Sequence, residues 1–180
     1  MAAAIHQKMN HSSIHLRLAT EHDLPAIVEI YNSIIPGRRV TADLEPVTVE
    51  SRRAWFAAHQ TPTRPLWVLV DSNAADAVCG WASFDSFYLR AAYDGTVMVA
   101  LYLAESYRGL GLGGWLLEEL ITRAPALGIH SLTGYIFGHN EPSLRLFKRH
   151  GFTQWAHLPR VAVLDDVERD LIILGRRVIA

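Results

Sequence analysis

One stretch of the chain, residues 95–123, limits the possible folds more than any other. It begins with an apolar run rich in β-branched residues, Thr96 to Leu103, which predicts a buried strand. Four glycines lie close together shortly after this run: Gly109, Gly111, Gly113 and Gly114. A helical pattern starts immediately behind them, and a glycine-rich turn at a helix N-terminus presents free backbone N–H groups to an anion. The stretch therefore predicts a strand, a phosphate-binding turn and a helix, in that order.

The remaining residues predict further strands and helices around this unit. Before it, strands are expected at residues 14–18, 66–71 and 78–87, and helices at about 20–36 and 48–59. After it, a helix is expected at about 111–124, then a strand at 131–137, a helix at 141–149, and strands at 152–157 and 169–174. This order predicts an α/β fold: a mixed sheet with helices on both faces. Residues 14–180 would form one domain behind a flexible leader, residues 1–13.

Composition narrows the class of protein. Lys plus Arg number 17 and Asp plus Glu 18, without clustering of either sign, so a nucleic-acid partner is not expected. The N-terminal residues lack the apolar core of a signal peptide, and no apolar run is long enough to span a bilayer. The one cysteine, Cys79, favours a reducing compartment such as the cytoplasm. Histidine spacing suggests no metal site, and the acidic residues near Asp165 fit a hairpin turn better than a calcium loop.

The glycine turn has three possible interpretations. Gly109-x-Gly111-x-x-Gly114 satisfies the dinucleotide fingerprint, which also needs an acidic residue at the end of the next strand; that strand instead ends at Phe137 and Gly138. A Walker loop would need a following Lys with Ser or Thr, which is missing. The pattern that fits is Arg108-x-x-Gly111-x-Gly113, directly between a strand and a helix.

This pattern resembles the pyrophosphate loop of the GNAT superfamily of acyl-coenzyme A N-acyltransferases. The resemblance runs from about residue 14 to 174, and four segments resemble the phosphinothricin acetyltransferase branch: AYDGT (92–96), LYLAESYRGLGLG (101–113), IFGHNEPS (136–143) and RHGF (149–152). It implies a GNAT-like single domain with a splayed central β-sheet. It also implies acetyl-CoA as cosubstrate without a metal, and a cytoplasmic homodimer.

The resemblance also implies roles for individual residues. Cofactor contacts fall on main-chain groups of Leu101 and Leu103, on Asn140 and Ser143, and on the turn itself: Arg108, Gly109, Leu110, Gly111, Leu112, Gly113 and Gly114. Leu103 would polarise the thioester carbonyl through its N–H. Tyr102, next to it on the strand, is a second candidate catalytic residue from its position and not from the resemblance. Arg90 and Tyr93 would face the acceptor, where an arginine can bind a carboxylate through two hydrogen bonds. The loop 38–43 would form a second wall of the acceptor site.

Two positions depart from the pattern of that branch. Met98 replaces the glutamate that is its usual candidate base, and Phe147 replaces the histidine or tyrosine that is the usual candidate acid. Three explanations remain open. The reaction can proceed by orientation of the reactants alone. The proton-transfer roles can have moved to Tyr102, Tyr135, His139 or Glu105. Or the domain has kept cofactor binding and lost transfer.

These observations predict an enzyme that transfers an acetyl group from acetyl-CoA to the primary amine of a small amino acid or analogue, by direct attack in a ternary complex. Two alternatives remain: a noncatalytic coenzyme A binding module, and a transferase acting on protein or peptide amines.

Overall fold

The computed structural model describes residues 13–179, so the predicted leader lies outside the described residues except for Ser13. Four α-helices lie in the described part of the chain: α1 (Leu24–Ile34), α2 (Val49–Ala58), α3 (Leu112–Arg123) and α4 (Glu141–Arg149). The strands are β1 (Ile14–Leu18), β2 (Gln60–Thr61), β3 (Arg64–Asp71), β4 (Ala77–Ser86), β5 (Thr96–Leu103), β6 (Ser131–Phe137), β7 (Thr153–Leu164) and β8 (Val167–Arg177). None of the described helices is long and apolar enough to cross a membrane.

The strands form one mixed sheet in the order β1-β3-β4-β5-β6-β8-β7, with β2 paired to β3 alone. Neighbours in this order are antiparallel except β5 and β6, which are parallel and are connected through α3. The predicted mixed α/β sheet is therefore confirmed. Its one parallel pair lies at the centre, next to the glycine turn that follows β5.

The sheet is buried on both faces, and β3 shows why its sequence is a continuous apolar run. Leu66, Val68 and Val70 point to one side and pack with α1 and α2. Trp67 and Leu69 point to the other side and join the core beneath α3 and α4. Since side chains alternate along a strand, a strand covered on both faces needs apolar residues at every position. The predicted helices on both faces are confirmed.

The last two strands are longer than the predicted 152–157 and 169–174. They form a hairpin that turns at Asp165 and Asp166, both with positive φ. The pairing register of β7 shifts between Gln154 and Ala156 and again between Leu158 and Ala162. These shifts interrupt the apolar alternation, so the pattern appeared to end before Pro159. The acidic residues near Asp165 accordingly form the predicted hairpin turn.

The central parallel pair separates soon after it begins. β5 and β6 pair only from Thr96 and Ser131 to Met98 and Thr133. Beyond these residues β5 continues with β4 as far as Leu103, and β6 continues with β8 as far as Phe137. The two strands diverge and leave a cleft between them, which is the predicted splay of the sheet. Phe147 of α4 packs where the strands part, so close to Gly134 that a Cβ there would lie 2.6 Å from the ring.

Candidate active site

The glycine turn leads into α3 in the conformation that its sequence predicts. Gly109 and Gly111 have φ values of +76° and +86°, and a Cβ added to either would meet no atom within 4 Å. Gly111 is the N-cap of α3, and its carbonyl accepts hydrogen bonds from Gly114 and Trp115 at 3.1 and 3.2 Å. The amides of residues 109–113 therefore precede the first hydrogen bond of the helix. They form the kind of anion site that free N–H groups at a helix N-terminus produce.

The other two glycines serve the packing of α3. A Cβ on Gly113 would lie 3.5 Å from Leu146, and one on Gly114 would lie 3.4 Å from His150. Both neighbours belong to α4 or its C-cap. These two glycines thus lie on the side of α3 that faces α4, and because they have no side chain the two helices approach closely.

Arg108 lies beside the turn and contacts the end of β5. Its Nε donates a hydrogen bond of 3.0 Å to the carbonyl of Leu103, and its Nη2 lies 3.4 Å from Ser33 Oγ. The guanidinium is exposed, so a positive charge stands next to the free amides of the turn. An anion at the turn would meet both the N–H groups and this charge.

Main-chain groups of β5 face the cleft. The Ala104 N–H donates to Cys79 O on the β4 side at 2.9 Å. Since main-chain groups alternate in direction along a strand, those of Val99, Leu101 and Leu103 point away from β4, towards the side where β6 has separated. The predicted cofactor residues Leu101, Asn140 and Ser143 line this cleft, together with Phe147.

Asn140 and His139 hold the loop 38–43 against the start of α4. Asn140 is the N-cap of α4: its Oδ1 accepts from Ser143 N at 3.3 Å, and its Nδ2 donates to Arg39 O at 3.0 Å. His139 Nε2 donates to Arg38 O at 2.8 Å. The side chain of Asn140 therefore has a structural role in addition to its position in the cleft.

A cavity of about 510 Å³ lies on the α1–α2 face of the sheet, next to the cleft. Its floor consists of cross-strand pairs: Trp81 opposite Tyr102, Ser83 opposite Ala100, and Asp85 opposite Met98. Its walls come from α1, α2, the loop 38–43 and the β7–β8 hairpin. Tyr102 and Tyr135 line both the cavity and the cleft, so the two spaces meet at these side chains.

Aromatic rings line much of this cavity. Trp81 lies 4.4 Å from Tyr102 and 5.4 Å from Trp55 between ring centroids, and Tyr31 meets Tyr102 edge to face at 5.4 Å. Burial raises the pKa of Tyr102 well above its usual value. The phenol therefore keeps its proton at neutral pH and can donate a hydrogen bond, but it cannot serve as a base.

Arg52 brings a positive charge to the cavity wall. Its Nη2 donates to Asp43 at 2.8 Å, Asp43 also accepts from the Tyr31 hydroxyl at 2.7 Å, and the guanidinium lies 4.9 Å from the Tyr31 ring centroid. Within residues 13–179 this is the one hydrogen bond that Arg52 donates. Further donors of its planar fork are left for a carboxylate.

Asp85 brings a negative charge to the cavity floor and lies next to His59. Asp85 Oδ1 is 3.1 Å from His59 Nε2, and Asp85 Oδ2 accepts from Ser83 Oγ at 2.9 Å. Burial would raise the pKa of Asp85, but His59, Ser83 and Trp55 outweigh it and lower the pKa. Burial by itself would lower the pKa of His59, but Asp85 and the Trp55 carbonyl together raise the pKa above its ordinary value. The carboxylate is thus ionised at neutral pH.

The sequence-predicted residues fall into three groups. Leu101, Asn140 and Ser143 line the cleft, and the turn residues 108–114 follow the end of β5, where Arg108 contacts Leu103 O. Met98, Tyr102 and Tyr135 line the cavity, whereas Arg90, Tyr93, Glu105 and His139 line neither it nor the cleft. Arg90 and Tyr93 lie exposed on the loop between β4 and β5.

Sequence reasoning missed Arg52, His59 and Asp85. Arg52, Trp55 and His59 follow a spacing of three and then four residues, which places them on one face of α2, turned towards β4. Asp85 continues the alternation Trp81, Ser83, Asp85 on the same face of β4. These spacings can be read from the sequence, but which element the shared face contacts is known only once the pairing of the elements is known.

Among residues 13–179, no group of three or more His, Cys, Asp or Glu could hold a metal ion.

Comparison with known proteins gives consistent relationships. Residues 24–152 match the model of a family described as "Acetyltransferase (GNAT) family". A Bacillus subtilis protein described as "Putative phosphinothricin acetyltransferase YwnH" is 52% identical over 161 residues, covering 89% of this chain and 97% of that protein. An L-methionine sulfoximine/L-methionine sulfone acetyltransferase of Pseudomonas paraeruginosa is 36% identical, covering 83% of this chain and 86% of that protein.

A solved structure shows a similar fold. The structure of yncA from Salmonella typhimurium with its cofactor acetyl-CoA superposes with a TM-score of 0.84 at 30% identity, covering 93% of this chain and 95% of that one. The free amides of the turn, the open space at Gly109 and Gly111, and the cleft-facing main chain of β5 suit the pyrophosphate and amide groups of such a ligand.

Substitution of Gly111 tests the turn as a phosphate site. Gly111→Trp is expected to abolish acetyl-CoA binding in calorimetry, because its side chain would occupy the space at the turn where a phosphate must approach the backbone. Gly128→Trp is the matched control, since Gly128 also has positive φ and open space around its Cβ position but lies at the end of the segment after α3. Unchanged acetyl-CoA affinity in Gly111→Trp would refute the assignment of the turn.

Proposed function

Since the chain belongs to the acetyltransferase (GNAT) family, whose members use acetyl-CoA, we propose that it acetylates the primary amine of a small amino acid or amino acid analogue. The observation that carries the proposal is the cavity beside the cleft, which combines one guanidinium, one carboxylate and aromatic walls. Its volume of about 510 Å³ suits a small molecule. Two relatives with high coverage are named for acetylation of phosphinothricin and of methionine sulfoximine or sulfone, which are compounds of this class.

The charges of the cavity match those of an amino acid. A free amino acid carries a carboxylate and an ammonium group, and the cavity offers Arg52 to the first and Asp85 to the second. Arg90, on the exposed loop, is the second candidate for the carboxylate, with Tyr93 beside it. The transferase domain in this proposal is residues 14–180.

The cofactor residues follow from the same proposal. The amides of residues 109–114 and Arg108 hold the pyrophosphate, and the main chain of Leu101 and Leu103 pairs with the pantetheine amides along the cleft, with Asn140 and Ser143 on its other side. The Leu103 N–H polarises the thioester carbonyl. Tyr102, which stands where cleft and cavity meet and keeps its proton, donates a hydrogen bond to the leaving sulfur. The acceptor attacks directly from the cavity side.

The two alternatives are less favoured. A noncatalytic coenzyme A binding module would have no need of charged groups in a cavity next to the cleft, and the relatives are named as acetyltransferases. A transferase acting on protein or peptide amines needs an open groove for a chain, whereas Arg52 and Asp85 lie in a cavity walled by two helices, a loop and a hairpin.

Thiol release tests the proposed reaction. Coenzyme A formation is measured with acetyl-CoA and a panel of amino acids, methionine sulfone, methionine sulfoximine, phosphinothricin and lysine-containing peptides. Amine-dependent release with small amino acids or their analogues is expected. Tight acetyl-CoA binding without release for any amine would leave only the binding module, and release with peptides alone would identify a protein acetyltransferase.

Substitution of Arg52 tests which arginine binds the acceptor carboxylate. Arg52→Gln is expected to raise the KM of the amino acid on the order of 10- to 100-fold, since a hydrogen bond to a charged group contributes about 1.5–3 kcal/mol. The KM of acetyl-CoA should not change. Arg53→Gln is the matched control, because Arg53 is the neighbouring residue of α2 and pairs with Glu50 and Glu21 at the surface. A larger effect of Arg90→Gln would assign the carboxylate to the loop instead.

A homodimer is proposed through the edge strand β7. β7 is the last strand of the sheet and, with the start of β8, exposes an apolar strip consisting of Trp155, Leu158, Val163 and Val167. An edge strand with unpaired main-chain groups and apolar side chains is a template for pairing with another chain.

A cytoplasmic location is proposed as well, supported by the buried free thiol of Cys79.

Light scattering tests the dimer. The wild-type protein is expected to have the mass of two chains, and Leu158→Lys with Val163→Lys is expected to reduce it to one chain, because charges would be buried at the interface. Leu89→Lys, at a residue that is 93% exposed on the loop between β4 and β5, should leave the mass unchanged. A wild-type mass of one chain at micromolar concentration would rule the dimer out.

A further inference from the structure

We propose that Asp85 is the base that receives the proton of the acceptor amine, and that His59 positions its carboxylate. The proposal rests on the proposed function and deepens it. It accounts for the reaction in a chain whose usual candidate base position is occupied by Met98.

Asp85 and Met98 are directly opposite each other on β4 and β5, and both side chains line the cavity. Directly opposed side chains on one face of a sheet have Cβ atoms about 4.5–5.5 Å apart. A carboxylate at Asp85 therefore reaches much of the space that a carboxylate at residue 98 would reach. In this chain the carboxylate beside that space is on β4 and not on β5.

The surroundings of Asp85 hold its carboxylate in one orientation. Oδ2 accepts from Ser83 Oγ at 2.9 Å, Oδ1 lies 3.1 Å from His59 Nε2, and the Trp55 indole N–H lies 3.5 Å from Oδ1. The side chain is about one-quarter exposed, and its open side is the cavity. A fixed carboxylate with one accessible side satisfies the geometric requirement for a general base.

The groups that face the two ring nitrogens of His59 indicate the protonation state of the ring. His59 Nδ1 lies 2.8 Å from the carbonyl of Trp55, which can only accept, so Nδ1 carries a proton. Nε2 has no aligned hydrogen-bond partner among the described residues but faces a carboxylate oxygen, which favours a second proton there. His59 is thus an imidazolium that forms an ion pair with Asp85. Only 6% of its side chain is exposed, so the pair is little screened by solvent.

Other charged and titratable groups surround this pair. Arg64 on β3 opposes protonation of His59. Tyr31 on α1, Tyr102 on β5, and Arg52 with Asp43 form the rest of the local field in the cavity. Arg52 and Asp43 pair with each other, and the phenol of Tyr102 stays neutral, so the carboxylate of Asp85 is the negative group available to an ammonium on the cavity floor.

An acceptor that enters as an ammonium loses one proton to become a nucleophilic amine and a second one as the C–N bond forms. The C–S bond of the thioester breaks, and the thiolate takes up one proton. One proton is therefore released to solvent for each acetyl group transferred. Asp85 accepts the first of these protons, which the bound ammonium loses before attack, and passes it to solvent through the cavity before the next cycle. The proton lost as the C–N bond forms balances the one that the thiolate takes up.

Kinetics of Asp85→Asn and Asp85→Glu test the assignment. Asp85→Asn is expected to lower kcat by about 100-fold or more at neutral pH, and Asp85→Glu to keep most of it. In Asp85→Asn the rate should recover as pH rises towards the pKa of the acceptor amine, because only acceptor already deprotonated in solution reacts. Asp85→Asn combined with Met98→Glu should regain at least tenfold. Asp94→Asn, in the exposed loop before β5, is the matched control and should behave as wild type.

A second readout needs no turnover. In an NMR titration, the His59 ring is expected to have a pKa above its ordinary value of about 6.5 in the wild type, and the pKa should fall in Asp85→Asn. A His59 pKa that does not change in Asp85→Asn would contradict the ion pair and overturn the proposal.

Each outcome decides between defined possibilities. An Asp85→Asn variant with the wild-type kcat and pH profile overturns the assignment, and so does an equal loss at every pH, which indicates a structural role. A double variant no faster than Asp85→Asn also counts against it. If the wild type releases thiol with no amine at all, the proposed function fails and the assignment fails with it; if the wild type is active, a negative result concerns Asp85 alone.

Discussion

The separation of β5 from β6 is the constraint on which the rest of the structure depends. Each strand keeps one partner, so the sheet stays intact, but the main-chain groups of Val99 to Leu103 that face β6 lose theirs. Buried amide groups without partners are costly, and a ligand that itself carries amides can satisfy them as another strand would. The glycine turn lies at the open end of this cleft because it directly follows β5. Arg108 ties the turn to the strand through Leu103 O.

The two faces of the sheet have different roles at this point. On the α3–α4 side, glycines at residues 113, 114 and 134 let side chains of α4 approach closely and shape the wall of the cleft. On the α1–α2 side, the alternate residues of β4 and β5 form the floor of an aromatic cavity with Asp85 and Arg52 in its lining. Phe147 belongs to the first side and Met98 to the second. Phe147 is part of the hydrophobic core, and the charged side chains in the cavity lining, Arg52 and Asp85, come from α2 and β4.

Much of the architecture could be predicted from sequence, for identifiable reasons. The strand, glycine turn and helix of residues 95–123 are local in sequence, and glycine permits the positive φ values at Gly109 and Gly111. The mixed α/β fold, the acetyltransferase family and the use of acetyl-CoA were predicted and are confirmed. The ends of β7 and β8 were wrong because shifts of register interrupt their alternation. The roles assigned to Tyr102, Leu103, Arg90 and Tyr93 stay predictions, and so do the cofactor contacts assigned to Leu101, Arg108, residues 109–114, Asn140 and Ser143.

The sequence by itself determined the local elements, the glycine turn between strand and helix, and the absence of a base at residue 98, because each depends on residue type and short-range spacing. Only the tertiary structure decided which side chains share the cavity beside the cleft. Asp85 is thirteen residues from Met98 along the chain, and the pairing register of β4 and β5 places the two residues directly opposite each other. Arg52 lines the same cavity from α2, a helix whose Trp55 packs edge to face on Trp81 of β4, and His59, directly after α2, contacts Asp85. Side-chain proximity between separate elements follows from long-range packing and strand register, which spacing along the chain does not encode.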